Sequence, residues 1–301
     1  MMTLVIRPLV AGEENLFDSL PDRGLVGRPV LGNLSYPDLR ARGEYRPEWT
    51  YVAIAEGTVV ARAAWWGTPS DPAPVALDCF DFTDADAAVA LLRAAPFTAE
   101  YCLTLPAGWR TTPAVRAEAD ARIDAATAAG MRILVERYRY QWTPACGLPD
   151  RPDRLRYREE PDDAVFLDIF RRVHVDSLDA HVQATVAESG LEAAAQEDLD
   201  ILRWMPAPRS WWRVAETQEG SLVGLTVPSR NPGGPVVAYI AVLPEHRGHG
   251  YAYDLLVEAT HLLVAEGADR IVANTDVDNI PMAKAFAKAG YPITQHRIDL
   301  V

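Results

Sequence analysis

The segment 236–252 reads VVAYIAVLPEHRGHGYA and contains the strongest structural pattern in the chain. Its first eight residues, 236–243, form an uninterrupted apolar run rich in β-branched side chains, which is typical of a central strand buried on both faces. Pro244 ends this strand. A turn with two glycines follows, and from Tyr251 onward apolar residues recur at helical spacing. The sequence therefore predicts a strand, a glycine-containing turn and a helix in direct succession.

This succession of elements is a geometry that binds phosphate groups. The first N–H groups of a helix have no partner inside the helix, and the helix dipole adds positive potential there. Gly248 and Gly250 let the backbone approach a ligand closely. Arg247 adds a cation suited to pyrophosphate, and Ala252 is small. The segment is neither a P-loop nor a dinucleotide fingerprint, since it lacks Gly-Lys-Ser/Thr and G-x-G-x-x-G; a plain connection between strand and helix is the alternative.

Residues 242–252 closely resemble the acetyl-CoA signature of the GNAT superfamily of N-acetyltransferases, V-x-P-x-x-R-G-x-G-x-A/G. The downstream part fits the spacing of that family as well, at Asn274, Asn279, Met282, Phe286, Gly290 and Tyr291. The resemblance is strong over 210–295, weaker over 155–205 and faint in the first half. The whole chain is similar to the tandem-GNAT arrangement.

The resemblance implies acetyl-CoA as cofactor, bound through Ala241, Val242, Arg247, Gly248, His249, Gly250, Tyr251, Ala252, Asn274, Asn279, Met282 and Phe286. Backbone N–H groups from 247 to 252 would hold the pyrophosphate. The strand around Ala241 and Val242 would splay from its neighbour and pair with the pantetheine arm, and the Val242 N–H would polarise the thioester carbonyl. Asn279, at the start of the next helix, would contact the pantetheine or cap that helix, and the two roles are compatible.

The proton-transfer groups are less well defined. Phe286 stands where many family members have a tyrosine that acts as general acid, which puts an acid-assisted mechanism in doubt. A thiol with a pKa of about 8.5 can leave without a dedicated acid. The candidate bases and catalytic groups are Glu216, Tyr239, His174, Asp176, Asp179 and His181, with Val242 as the oxyanion-type donor. No third ligand accompanies His174 and His181, so no metal site is predicted.

Three tryptophans, Trp204, Trp211 and Trp212, could line an acceptor pocket because aromatic faces suit cations. Core packing is the other interpretation.

The chain has two halves whose sequence patterns echo each other. A proline-rich polar stretch at 143–153, TPACGLPDRPD, has the composition of a linker, and we expect domains at 1–149 and 150–301. Each half contains an arginine followed by an amphipathic helix, a Glu-Gly hairpin signal, and a helix that ends in Ala-Gly before a strand. The predicted fold is α/β, with two tandem GNAT-like domains, each a mixed and mostly antiparallel sheet flanked by helices.

The first half is expected to have lost the cofactor site. Its matching strand at 75–80 is followed by Asp81, Asp84 and Asp86, with neither glycine nor arginine in the turn. Three carboxylates at this position would repel pyrophosphate. We therefore expect a degenerate domain that supports the active one as an internal pseudo-dimer, while further self-association stays open.

Composition limits the partners. Lys plus Arg is 29 and Asp plus Glu is 42, a formal charge of -13, which disfavours nucleic acid and is compatible with a cationic amine or with solubility alone. The longest apolar run, 236–243, is too short to cross a membrane. Cys79, Cys102 and Cys146 have no disulfide or zinc spacing. We expect a cytoplasmic protein.

Three functions remain open at this point. The first is an acyl-CoA-dependent N-acyltransferase that acetylates a primary amine of a small molecule or peptide. The second is a non-catalytic acyl-CoA sensor or structural module. The third is a nucleotide-phosphate enzyme of another fold.

Overall fold

The computed structural model describes residues 4–31, 34–231 and 233–301. The strands in these ranges are Leu4–Pro8 (β1), Thr50–Ala55 (β2), Thr58–Trp66 (β3), Ala76–Phe82 (β4), Glu100–Pro106 (β5), Ile133–Trp142 (β6), Leu155–Glu159 (β7), Arg213–Thr217 (β8), Leu222–Asn231 (β9), Gly234–Val242 (β10), Ile271–Asp276 (β11) and Ile293–Leu300 (β12). The α-helices are Glu14–Asp18 (α1), Tyr36–Ala41 (α2), Ala85–Ala94 (α3), Pro113–Ala129 (α4), Asp163–His174 (α5), Ala180–Trp204 (α6), Tyr251–Ala265 (α7) and Ile280–Lys288 (α8). None of the helices in these ranges combines the length and apolarity that a bilayer crossing requires.

The chain forms two compact units. The first consists of the residues up to Glu136 together with Gln295–Val301, and the second is Arg137–Thr294. The units therefore do not divide at residues 149 and 150, where the linker composition predicted a boundary. The cause is strand pairing, because the second part of β6 pairs with β11 and β12 pairs with β5. Each unit takes its last strand from the other half of the sequence.

The two units have the same sheet topology. In the first, the strand order is β1-β2-β3-β4-β5-β12, and in the second it is β7-β8-β9-β10-β11-β6. Neighbouring strands within each unit are antiparallel except for one pair in each, β4 with β5 and β10 with β11. This confirms the predicted mixed and mostly antiparallel sheets flanked by helices, and the repeated order supports duplication of one unit.

In the second unit, helices cover both faces of the sheet. Phe166 and Phe170 of α5 pack with Leu199 of α6 against one face, and Leu256 of α7 packs with Phe286 of α8 against the other. The structure has α5, a loop and then α6, which is broken at a glycine, residue 190, with φ 85° and ψ 169°.

In the first unit, a buried ion cluster forms beside β4. The Asp81 carboxylate accepts hydrogen bonds from Arg28 at 2.6 Å, Arg62 at 3.0 Å and Arg122 at 2.9 Å. Burial alone would raise the pKa of this carboxyl, but the three guanidinium groups outweigh burial and hold the pKa of Asp81 below its usual range. Asp81 therefore lies in the strand, not in the turn where the sequence placed it.

We expect Asp81→Asn to destabilise the first unit by about 3–5 kcal/mol, because three buried guanidinium groups would lose their counter-charge. Urea unfolding at pH 7 measures the loss. Since the folded pKa of Asp81 is depressed, its contribution is present above the unfolded carboxyl pKa and disappears as the pH falls through the folded value. Asp86→Asn, at an exposed carboxylate five residues away, is the control and should stay within about 0.5 kcal/mol of wild type. Equal effects of the two substitutions would contradict the assignment.

Candidate functional site

The second unit contains an opening between two parallel strands. The pairing of β10 with β11 is limited to Val236 opposite Val272, whereas β10 stays paired with β9 as far as Val242 opposite Gly224. Beyond Val236, no strand in the described ranges pairs with the β11-facing edge of β10. The strands therefore splay, as the resemblance implied for the region around Ala241 and Val242.

The amide of Val242 faces this opening. Leu243 donates its N–H to the Val223 carbonyl of β9 at 2.8 Å. Antiparallel strands alternate the direction of their N–H and C=O groups, so Ala241 faces β9 and Val242 faces the opposite edge. The Val242 carbonyl accordingly accepts a bond from Arg247 Nε at 3.4 Å, on the side away from β9. The Val242 N–H is thus directed to the edge of β10 that β11 leaves uncovered.

Gly224, which sequence analysis missed, allows β9 and β10 to approach at this point. A Cβ at residue 224 would lie 1.9 Å from the Ala241 carbonyl oxygen and 3.1 Å from the Val242 Cα. The first contact is far shorter than real Cβ atoms tolerate, the second is unusually tight, and both are with backbone. A glycine inside a strand pattern signals close backbone approach, so the run Leu222 to Val227 contained the clue.

The turn after β10 leaves the N terminus of α7 accessible. Gly248 and Gly250 adopt φ values of 83° and 77°, which other residues rarely adopt. Gly250 is the N-cap residue of α7 and has no side chain with which to cap the helix. No side chain therefore caps the first N–H groups of α7, and such groups are suited to an anion.

Arg154 stabilises this turn through its carbonyl groups. Sequence analysis did not predict this residue. Its guanidinium donates to both carboxylate oxygens of Asp254, at 2.9 and 2.6 Å, and to the carbonyls of His249 at 2.9 Å and Gly250 at 3.4 Å. Asp254 is 1% exposed. Because Arg154 binds the carbonyl side of the turn, the N–H side is free to face a ligand.

The Arg247 side chain has a different position from the one expected. It donates to the carbonyls of Val173 at 3.2 Å and Asp176 at 3.3 Å, at the end of α5, as well as to Val242. Its guanidinium therefore ties the turn to α5 rather than standing free for pyrophosphate. The neighbouring His249 ring stacks on Tyr251, with centroids 5.7 Å apart.

The motif residues that follow the turn, Asn274, Asn279 and Met282, differ in their burial. Asn274 is exposed in β11, which continues to Asp276. Asn279 caps α8, with its Oδ1 accepting from Met282 N at 3.2 Å, as the capping interpretation expected. Met282 is partly buried against the core of the unit.

Phe286 is not at the surface. Only 2% of it is exposed, and its ring stacks on Tyr140 with centroids 4.1 Å apart. A ring in this environment offers almost no surface to a cofactor, so its expected contact with acetyl-CoA has no support in the structure. The position where the family often has an acid is a core position here.

Glu216 lies away from the opening. It is in β8, two strands from β10, which corresponds to about 10 Å at the usual strand spacing. Its carboxylate also forms an ion pair with Arg158 at 2.8 Å. Both observations argue against Glu216 as the base.

Tyr239 belongs to a group of three polar side chains. His174 Nε2 lies 2.8 Å from Asp198 Oδ2 and 3.2 Å from Tyr239 Oη. Burial, followed by the negative charge of Asp198, raises the pKa of Tyr239 well above its ordinary value. The phenol therefore keeps its proton at neutral pH and cannot serve as a simple base by ionising. Asp198 was not among the predicted residues.

The remaining candidates occupy the start of α6. Asp179 is its N-cap, accepting from His181 N at 3.0 Å and Val182 N at 3.1 Å, and it pairs with Arg137 at 3.0 Å. Asp176 contributes its carbonyl to Arg247. These contacts explain the local conformation without requiring catalytic roles.

The three tryptophans have different environments. Trp211 and Trp212 are buried in the two cores of the second unit, and Arg209 stacks on Trp212 at 4.1 Å. Packing is therefore the role of these two residues. Trp204, by contrast, is 66% exposed on α6.

The first unit has a similar opening between two parallel strands, but the N terminus of its helix α3 is capped by a side chain. Pairing of β4 with β5 is limited to Ala76 and Leu77, so these strands also diverge. The N terminus of α3, however, is capped by Asp84, whose carboxylate accepts from Ala87 N at 3.0 Å. The first unit thus satisfies its helix terminus with its own anion, whereas the second unit leaves Gly250 there.

Residues 179–291 match the family model described as the Acetyltransferase (GNAT) family. This segment is a GNAT acetyltransferase domain. The match includes β10, the turn at 247–250, α7 and α8. It extends over the strand, turn and helices in which the resemblance was seen in the sequence.

Solved structures show that the fold related to this GNAT domain extends over the whole chain. A GCN5-related N-acetyltransferase from Sphaerobacter thermophilus has 12% identity and a TM-score of 0.53, with 99% of this chain and 94% of that chain covered. A tandem GNAT protein from the clavulanic acid biosynthesis pathway, in a structure without AcCoA, has 16% identity and a TM-score of 0.51, with 99% and 98% covered. No curated protein sequence matches this chain. At these identities the likeness concerns the fold alone.

We expect Gly224→Ala to destabilise the GNAT domain by about 3 kcal/mol, because the added methyl group overlaps the backbone of β10. Thermal and urea unfolding measure the effect. Gly220→Ala is the control: residue 220 has φ 89°, and no described atom lies within 4 Å of the place a Cβ would take, so only the backbone cost of about 1 kcal/mol applies. A variant at residue 224 as stable as the control would show that the approach of β9 and β10 is not limiting.

Proposed function

We propose that the chain is an acyl-CoA-dependent N-acyltransferase that transfers an acetyl group from acetyl-CoA to a primary amine of a small molecule or peptide. The observation that carries this proposal is the uncapped N terminus of α7, with Gly248 and Gly250 at positive φ, directly after a strand whose Val242 N–H faces an opening. Membership of residues 179–291 in the GNAT family supports the same reaction class.

The residues present fit such a cofactor. Main-chain N–H groups from 248 to 252 would bind the pyrophosphate, since Arg154 engages the carbonyls of His249 and Gly250 on the other side. The Arg247 N–H is excluded from the expected set because it donates to the Pro244 carbonyl at 3.2 Å. The open edge of β10 at Ala241 and Val242 would pair with the pantetheine arm as an added strand does. Acetyl-CoA supplies the acetyl group as a thioester.

The side chains of this chain then act mainly by positioning. The Val242 N–H is held in place by β9 on one side and by Arg247 on the Val242 carbonyl, so it is preorganised as a donor to a carbonyl oxygen. Phe286 supplies no acid, and a thiol of ordinary pKa, about 8.5, can leave without one. Catalysis in this proposal therefore depends on backbone donors and orientation more than on a side-chain acid.

The acceptor class follows from charge. The chain has a formal charge of -13, and the partly exposed Asp198 lies 2.8 Å from His174 in the GNAT domain. An acidic surface favours a cationic amine over an anionic acceptor. The first unit would act as a supporting, degenerate domain, a role supported by Asp84 at its α3 terminus.

One observation favours the alternative of a non-catalytic acyl-CoA sensor. The position of the usual tyrosine acid is the buried Phe286. A sensor would bind acetyl-CoA without releasing free coenzyme A in the presence of any amine. Measurement of thiol release with a panel of small amines and peptides separates the two functions, and we expect release with at least one primary amine.

We expect Gly250→Val to raise the Kd for acetyl-CoA by about 100-fold or more, equivalent to roughly 2.7 kcal/mol. A β-branched residue cannot adopt φ 77° without strain, so the turn must shift to relieve it. The space around residue 250 is not the obstacle, since a Cβ there would meet Arg154 Nη2 at 3.9 Å, an ordinary contact. Isothermal titration calorimetry measures the affinity. Gly267→Val is the matched control, with φ 84° after the other end of α7, and should lose stability but keep its affinity. Normal binding by the residue 250 variant would refute the site.

We expect Arg154→Met to weaken acetyl-CoA binding by about tenfold, because the turn loses the group that holds two of its carbonyls. The variant also leaves the Asp254 carboxylate buried without its cation, so stability falls. The double variant Arg154→Met with Asp254→Leu should recover stability without recovering affinity. Arg156→Met, at an exposed arginine two residues along the chain, is the control. Full affinity in the double variant would contradict a positioning role.

A further inference from the structure

The first unit contains a cavity on the face of its sheet that α1 and α2 cover. Its volume is about 290 Å³, close to the lower end of the range for small-molecule sites. All of the lining residues belong to the first unit, so the cavity lies outside the GNAT domain. The lining includes side chains of α1, α2, β3 and the segment 19–35, among them Phe17, Leu20, Arg28, Leu34, Tyr36 and Arg62.

Two buried arginines line this cavity. The side chains of Arg28 and Arg62 are 7% and 5% exposed, and both bind the Asp81 carboxylate. Arg28 also donates to Asp22. The Nε atom of Arg28, however, is buried and has no hydrogen-bond partner among the described residues. Because a buried donor without an acceptor is costly, this position calls for an acceptor that a ligand can supply.

The segment that carries Arg28 is fixed to the sheet. Val30 and Leu31 donate their N–H groups to the Asp78 carboxylate at 2.8 and 2.9 Å, and the Tyr45 hydroxyl donates to the same carboxylate. Asp78 belongs to β4 and is 3% exposed. The wall of the cavity is therefore preformed, and a ligand need not order this segment in order to bind.

Two carboxylates also line the cavity, and both are exposed. Asp18 is the last residue of α1, and Asp22 follows in the loop, where it accepts from the Gly24 N–H at 2.8 Å. A simple anion would be attracted by the buried arginines and repelled by these two carboxylates. A ligand that carries an anionic and a cationic group complements both kinds of residue.

Stabilisation of the sheet accounts for only part of this arrangement. Asp81 neutralises buried cations of the first unit, but apolar residues of similar volume would serve the fold equally well. Protein interiors are close-packed, so packing does not explain a space of this volume beside two buried guanidinium groups. The cavity therefore indicates a role in binding.

We propose that this cavity is a second ligand site, which binds a small zwitterion of the α-amino acid class with an apolar side chain. The ligand carboxylate would accept from Arg28 Nε, and its ammonium group would donate to Asp18. Its side chain would contact Phe17 and Leu34. The site is additional to the proposed acyl-CoA site and does not depend on the acyltransferase function.

The test measures binding of L-leucine to the full chain by isothermal titration calorimetry, together with two matched compounds. 4-Methylpentanoate lacks only the ammonium group of leucine, and 3-methylbutylamine lacks only its carboxylate. We expect L-leucine to bind with a Kd of about 1 mM or lower, which is within reach of a ligand of this size. Each matched compound should bind at least about tenfold more weakly, because a charge-assisted hydrogen bond is lost.

Three variants show where the ligand binds. Arg28→Lys keeps the charge but loses Nε, and Asp18→Asn removes an exposed charge; each should weaken L-leucine binding by about tenfold. Asp18→Asn should not weaken binding of 4-methylpentanoate. Leu34→Trp fills the cavity at a partly buried position without changing an ion pair, so it tests the site even if Arg28→Lys folds poorly.

Asp86→Asn is the control, since this exposed carboxylate is on α3, which packs on the other face of the sheet. It should bind L-leucine as wild type does. In all variants the Kd for acetyl-CoA should stay within about twofold of wild type, so the result is independent of the proposed acyltransferase function.

Each outcome has a distinct meaning. Selective binding of L-leucine that is lost in the Asp18→Asn and Leu34→Trp variants supports the proposal. Equal binding of L-leucine and 4-methylpentanoate would overturn recognition of a zwitterion. No binding of L-leucine at millimolar concentration, or unchanged binding in both variants, would overturn the site itself, because leucine bound elsewhere in the chain would keep its affinity.

Discussion

The second unit depends on main-chain amides that its own sheet and helices leave available. Strands and helices normally satisfy their backbone donors internally, and an unsatisfied donor must find water or a ligand. Here the splay after Val236 exposes the β11-facing edge of β10, and Gly250 leaves the start of α7 uncapped. The two sets of donors follow each other within one short segment. In the proposed function, the same backbone that builds the fold would therefore supply the binding groups.

Backbone donors bind a ligand well only when their positions are fixed in advance. Two arginine side chains fix the turn that carries these donors, each through a different set of carbonyl groups. Arg154 holds the carbonyls of the turn and is itself fixed by the buried Asp254. Arg247 joins the turn to the end of α5. Both cations act on carbonyl oxygens, which leaves the N–H groups of the turn for an incoming anion. The first unit shows the contrasting solution, with Asp84 in place of a ligand.

Sequence patterns predicted the parts of this protein that are local. The strand, turn and helix at 236–252, the mixed sheets and the repeated unit could be recognised because their signals are contiguous. Contacts between distant residues could not: Arg154 and Asp254 are 100 residues apart, and Tyr239 and His174 are 65 apart. Phe286 was interpreted as a cofactor residue because a motif gives its position and not its burial. The unit boundary was misplaced because linker composition does not reveal strand pairing.

Each half of the sequence supplies the last strand of the other unit, and this limits how the chain can be truncated. A chain cut at residue 149 would separate β6 from β11 and β12 from β5, so neither product would contain a complete sheet. A half that contributed no strand to the other could be removed without breaking the remaining sheet. In this chain, deletion of either half would remove a strand from the sheet of the other, so each half needs the other to complete its sheet.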